Sequence, residues 1–228
     1  MRTTGMQLLI VGMFLAASPA AEASVVLTYV EGNWMNPAGG ALASVNYVYD
    51  VSAGYGSGRQ QQILWGNPVT LSGQSGLGFI GVASPARQVD IGVPFDLLQL
   101  THFNNPVQIG SACDALELVV AVGFENGTPS AFQFTFQIDE TINKPGPPDS
   151  DDIITFPDSR PVRVVVINGA NYTLQLLGFG QNSCDLQFGF VTPEGLVNST
   201  LLWATLVPEP ATVLLLGMGA LALLKTKR

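Results

Sequence analysis

Histidine occurs once in this chain, at His102, and cysteine twice, at Cys113 and Cys184. Those counts lack the paired ligand spacing of a zinc site, which excludes one. A hydrolytic triad would have to use His102, and neither Ser57 nor Ser75 completes the G-x-S-x-G elbow that exposes a nucleophile. Basic residues are scarce in the body of the chain. Between Ser24 and Val207, Arg59, Arg87, Lys144, Arg160 and Arg163 stand against fifteen acids, a net charge of −10. A surface of that sign repels phosphate, so nucleic acid is excluded as a partner and an aqueous exterior suits the protein. Helical periodicity is missing too: no stretch of about 12 residues in this region carries an amphipathic stripe. The chain has no internal repeat.

The two ends carry what the body lacks. Met1 and Arg2 precede an apolar core from Met6 to Ala17, then Ser18-Pro19 and the small-residue site Ala21-Glu22-Ala23. This is a signal peptide over residues 1–23, cut by signal peptidase between Ala23 and Ser24. At the other end, Val207-Pro208-Glu209-Pro210 leads into 14 apolar residues, Ala211 to Leu224, and then Lys225-Thr226-Lys227-Arg228. As a transmembrane helix this run is about 21 Å long against a hydrocarbon core of roughly 30 Å, so it anchors only weakly, by thinning or snorkelling. The order of Pro-Glu-Pro, apolar segment and basic end resembles the PEP-CTERM signal, which exosortases of Gram-negative bacteria recognise and cleave. The resemblance implies that Val207, Pro208, Glu209, Pro210, Lys225, Lys227 and Arg228 are sorting residues. It also implies transient residence in the inner membrane, then the cell surface or its polysaccharide matrix. Export places Cys113 and Cys184 where oxidation is allowed, so a disulfide between them is expected. Closing a loop of about 70 residues would stabilise the fold by roughly 4 kcal/mol.

Residues 24–206 read as one all-β domain. Val25 to Val30 is β-branched and aromatic, and Val45 to Val51 alternates with period two, which predicts a half-buried strand with Val45, Tyr47, Tyr49 and Val51 inward. Leu97 to Thr101, Leu116 to Phe124 and Ala131 to Ile138 follow; in the last, Phe132, Phe134, Phe136 and Ile138 share one face. Glu125-Asn126-Gly127-Thr128 and Asn168-Gly169 are hairpin turns, the second joining Val162–Ile167 to Tyr172–Leu177. Leu186 to Val191 and Leu201 to Leu206 complete roughly ten to twelve strands, an antiparallel β-sandwich of jelly-roll-like type. Lys144 to Asp152, with three prolines, predicts an exposed loop.

The segment Leu100-Thr101-His102-Phe103-Asn104-Asn105-Pro106-Val107 resembles the Thr-His-Phe-Asn-Asn-Pro signature of the choice-of-anchor K domain, a family of exported bacterial domains joined to different surface anchors. Trp65-Gly66, Gln74-Ser75-Gly76-Leu77, Glu140-Thr141-Ile142-Asn143, Asp151-Asp152-Ile153-Ile154 and Leu177-Gly178-Phe179 resemble its other landmarks, with Ile142 where the family pattern has proline. The resemblance spans the body of the chain and implies no established activity. Two readings of Trp65, Thr101, His102, Asn104, Asn105 and Pro106 stay open. Asn104 and Asn105 bond backbone and hold a strand exit rigid, or the set lines a polar cleft for a sugar with Trp65 as stacking platform.

Gly76-Leu77-Gly78-Phe79-Ile80-Gly81 matches G-x-G-x-x-G without the strand and helix that motif requires, so its glycines serve a strand. Asp139 and Glu140 are adjacent and face opposite sides of a strand, which separates them as a glycosidase pair. Asp149, Asp151 and Asp152 offer hard oxygen ligands for Ca²⁺, without the EF-hand pattern; the alternative is a solvated acidic loop. No other cofactor is implied. The expected protein is an exported surface or matrix component, structural or binding, without catalysis. A secreted polysaccharide-binding module, marked by tyrosines or Trp65 exposed and coplanar on one sheet face, and a polysaccharide-acting enzyme are the alternatives.

Overall fold

Side chains that alternate between apolar and polar bury one face of a strand and leave the other to water, and this pattern dominates the chain. The computed structural model describes residues 24–40, 44–52, 59–81, 86–141, 151–156 and 162–209. The expected signal peptide with Ala21 and Ala23, the apolar tail, and Pro210, Lys225, Lys227 and Arg228 lie outside these residues. Among the described residues no helix is long and apolar enough to cross a membrane.

The strands in chain order are β1 (Ser24–Ala38), β2 (Asn46–Ser52), β3 (Arg59–Trp65), β4 (Ser75–Gly81), β5 (Arg87–Asp90), β6 (Phe95–Asn104) and β7 (Ala115–Phe124). They continue with β8 (Ser130–Asp139), β9 (Asp152–Thr155), β10 (Val162–Ile167), β11 (Ala170–Gly180), β12 (Gly189–Thr192) and β13 (Leu196–Pro208). They form two antiparallel sheets, one in the order β12-β9-β8-β7-β1-β5, the other β10-β11-β13-β6-β4-β3-β2. The domain is therefore all-β, as its sequence predicts.

One hydrophobic core draws on both sheets. Phe132, Phe134, Phe136 and Ile138 of β8 are all buried, as their spacing predicts. Phe136 meets Phe179 of the other sheet at 6.4 Å between ring centroids, and Phe156 stacks on Phe179 at 4.4 Å. Trp34 Nε1 of β1 donates to the Gln61 carbonyl of β3 at 2.8 Å, a second tie across the core. The two predicted hairpin turns also meet. Asn126 and Asn168 both adopt positive φ, the Asn168 amide donates to the Asn126 carbonyl, and Thr128 donates to the Val166 carbonyl. Glycine is required at Gly81 of β4, where a Cβ would stand 1.7 Å from the Val30 carbonyl oxygen. The G-x-G-x-x-G run is thus a packed strand.

Three expectations need correction. Cys113 and Cys184 form no bridge: Cys113 is buried, with its Sγ donating to the Ala38 and Ala115 carbonyls, whereas Cys184 is exposed in the turn after β11. One cysteine faces the core and the other faces water, so their side chains do not converge. Tyr47 and Tyr49 are exposed rather than half-buried, because β2 is the edge of its sheet and leaves its inward face uncovered. Asp152 is fully buried at the start of β9 instead of ending an exposed loop, and Asp151 beside it is half-buried. Asp149 lies outside the described residues, among which no group of three or more histidine, cysteine, aspartate or glutamate side chains could hold a metal ion.

Candidate functional site

Strand register collects the polar landmarks of the sequence in one place. His102 on β6 lies opposite Leu77 of β4, and its ring is fully buried. Its Nδ1 meets Thr192 Oγ1 at 2.8 Å, and its Nε2 meets Ser75 Oγ at 3.4 Å. Trp65 lies over the imidazole, ring centroids 6.1 Å apart and planes 24° from parallel. Burial pushes the His102 pKa down to about 3, so the ring stays neutral and acts as a bridge between two hydroxyls.

Carboxyls close the other side. Asp139 pairs with Ile153, so the antiparallel register carries Glu140 to the side of Asp152; Asp152 pairs in turn with Thr192 of β12. Glu140 Oε2 accepts from Trp65 Nε1 at 3.1 Å. Asp152 Oδ1 accepts from the Thr141 amide at 2.8 Å, and the Asp152 carbonyl accepts from Thr192 Oγ1 at 3.2 Å. Burial, then the neighbouring Asp152 charge, pushes Glu140 up to about 8. Burial raises Asp152 to about 7, with Glu194 adding to it, while its bonds from Thr141 oppose the rise. Glu194, two residues beyond Thr192, is raised by burial and by Asp151.

Asn104 completes the network. Its Nδ2 donates to the Thr192 carbonyl at 2.7 Å, and its own carbonyl accepts from the Gly195 amide at 2.6 Å. Asn104 Oδ1, Asp152 Oδ2 and Glu194 Oε1 are buried acceptors without a hydrogen-bond partner. Raised carboxyl pKa values fit this surplus, since a retained proton turns an acceptor into a donor. Trp65 of β3, His102 and Asn104 of β6, Glu140 and Thr141 just after β8, and Asp152 of β9 are thus linked, directly or through Thr192.

The remaining motif residues do other work. Thr101 Oγ1 pairs with Ser199 Oγ at 3.0 Å. Asn105 Nδ2 donates to the Gln74 carbonyl at 2.9 Å, and the Pro106 carbonyl accepts from the Val69 amide at 3.1 Å, which fixes the chain as it leaves β6. Sequence reasoning misses Thr192 and Glu194. A short Thr-Pro-Glu-Gly turn carries no signal of its own, and only the β9–β12 pairing brings it to His102.

The C-terminal signal enters the fold through β13. Leu206 is buried, Pro208 pairs with Tyr172 of β11, and the Glu209 amide donates to the Asn171 carbonyl at 3.2 Å. Residues 206–228 match the PEP-CTERM protein-sorting motif. PEP-CTERM motifs imply export, processing by exosortase, and sorting to the surface or exterior of a Gram-negative bacterium. Its Pro-Glu-Pro stretch begins on the last strand, so the motif starts directly against the sheet. No curated protein matches the chain.

Proposed function

We propose that this chain is an exported, exosortase-processed component of the cell surface or the extracellular polysaccharide matrix, with a structural or binding role and no turnover. The observation that carries this reading, beside the sorting motif, is the depth of the polar network. Trp65, His102 and Asn104 are enclosed, and Trp65 Nε1, both His102 nitrogens and Asn104 Nδ2 are taken up by Glu140, Ser75 and Thr192, which suits a framework more than a cleft. The resemblance to the choice-of-anchor K domain supports the same role. Fractionation of cells with and without a working exosortase tests it. The protein is expected at the surface or in the matrix with the enzyme present and in the membrane fraction without it; an identical membrane distribution in both would refute sorting.

A polysaccharide-acting enzyme is the second reading, and one observation favours it. Glu140 and Asp152 are neighbours with raised pKa values, the environment of a carboxyl that holds a proton near neutrality. Release of reducing ends from polysaccharide by the purified chain, abolished in Glu140→Gln, would establish it. The matrix reading expects none.

A further inference from the structure

Tyr47 and Tyr49 stand two residues apart on edge strand β2, so both side chains leave the same face. They are 41% and 57% exposed, with ring centroids 6.4 Å apart and ring planes 9° from parallel. Tyr47 lies opposite Ile63, and the period of two therefore puts Gln61 of β3 on that same face. Gln61 Oε1 is a buried acceptor, enclosed and out of reach of a surface ligand. Two exposed, parallel rings side by side on a sheet edge are more than scattered exposure.

A phenol ring presents an electron-rich apolar face with a hydroxyl at its rim. That face suits the C–H side of a pyranose, whose carbon-bound hydrogens are slightly positive and whose hydroxyls project sideways to amides and phenols. A net charge of −10 between Ser24 and Val207 disfavours uronate or sulfated chains. We propose that Tyr47 and Tyr49 form a shallow stacking site for an uncharged polysaccharide. This rests on the binding form of the proposed function and names its ligand class. Trp65, the platform suggested by sequence, is 1% exposed and cannot take that part.

The test uses the full chain purified in mild detergent, on native gels cast with hydroxyethyl cellulose as the uncharged probe or alginate as the anionic one. The wild type is expected to be retarded by hydroxyethyl cellulose and not by alginate. Tyr47→Ala and Tyr49→Ala should each weaken retardation about tenfold, while the double phenylalanine variant stays within about threefold, because stacking survives without the hydroxyl. On the wild type alone, hydroxyethyl cellulose should protect both tyrosines from nitration, which reads the site even where an alanine variant misfolds. Absence of wild-type retardation, retardation unchanged in folded alanine variants, or tyrosines nitrated equally with and without the polymer would overturn the proposal. So would an alanine variant that shifts a dimer to monomer, which would make β2 an interface between copies. Fractionation reads sorting independently, so the two readings fail separately.

Discussion

Raising the pH should weaken this fold, and Glu140 is the place to see it. Its carboxyl moves from an ordinary 4.5 to about 8 on folding, by burial and by the charge of Asp152. Between those values the unfolded chain has lost a proton that the folded chain keeps. The unfolded state then binds fewer protons, so stability falls as pH rises across this window and levels off above it. One unit of displacement corresponds to about 1.4 kcal/mol. His102 works the other way below its ordinary 6.5, because the fold keeps it neutral down to about 3. The loss therefore shows between pH 6.5 and 8, where about 1.5 units of the Glu140 displacement are worth on the order of 2 kcal/mol. A domain's usual stability is about 5 to 15 kcal/mol, so the loss is measurable. Glu140→Gln keeps an acceptor for Trp65 Nε1 and removes the titration. Urea unfolding at successive pH values should show a falling midpoint for the wild type and a much flatter line for the variant. A wild-type midpoint that holds or rises from pH 6.5 to 8, or a variant with the same slope over that range, would refute the reasoning.

Asn104→Ala should destabilise the fold by about 1 to 3 kcal/mol in denaturant melts, because it strips the Thr192 carbonyl of a buried donor. The loss should sit at the low end, since the unpartnered Asn104 Oδ1 goes with it. In the native protein, a maleimide should label exposed Cys184 quickly and Cys113 only after unfolding, since burial pushes the Cys113 thiol up to about 11. Reducing agent should leave the melting temperature unchanged; a drop of several degrees would restore the bridge. Intact mass of the exported protein should begin at Ser24 and end between Val207 and Pro210, and a product retaining Leu214 to Leu224 in exosortase-competent cells would refute processing.

Local chemistry alone determined the all-β class, the Phe132 to Ile138 face and the Asn168-Gly169 turn. Period-two alternation and positive-φ residues act within a few positions, so they are legible without the rest of the chain. The sorting tail was legible for the same reason: its Pro-Glu-Pro, apolar and basic pieces are contiguous. The landmarks around Trp65, His102, Asn104, Glu140 and Asp152 were visible as separate stretches, but neither their meeting nor their burial was. That required β8, β9 and β12 to align, which also recruited Thr192 and Glu194 from an ordinary turn. Sequence could not assign the surroundings of Tyr47, Tyr49, Cys113 and Cys184. An alternating strand buries its apolar face only where an opposing sheet covers it, and a cysteine pairs only where the fold brings a second one. Both depend on how distant strands and turns are placed, a property of the assembled sheets.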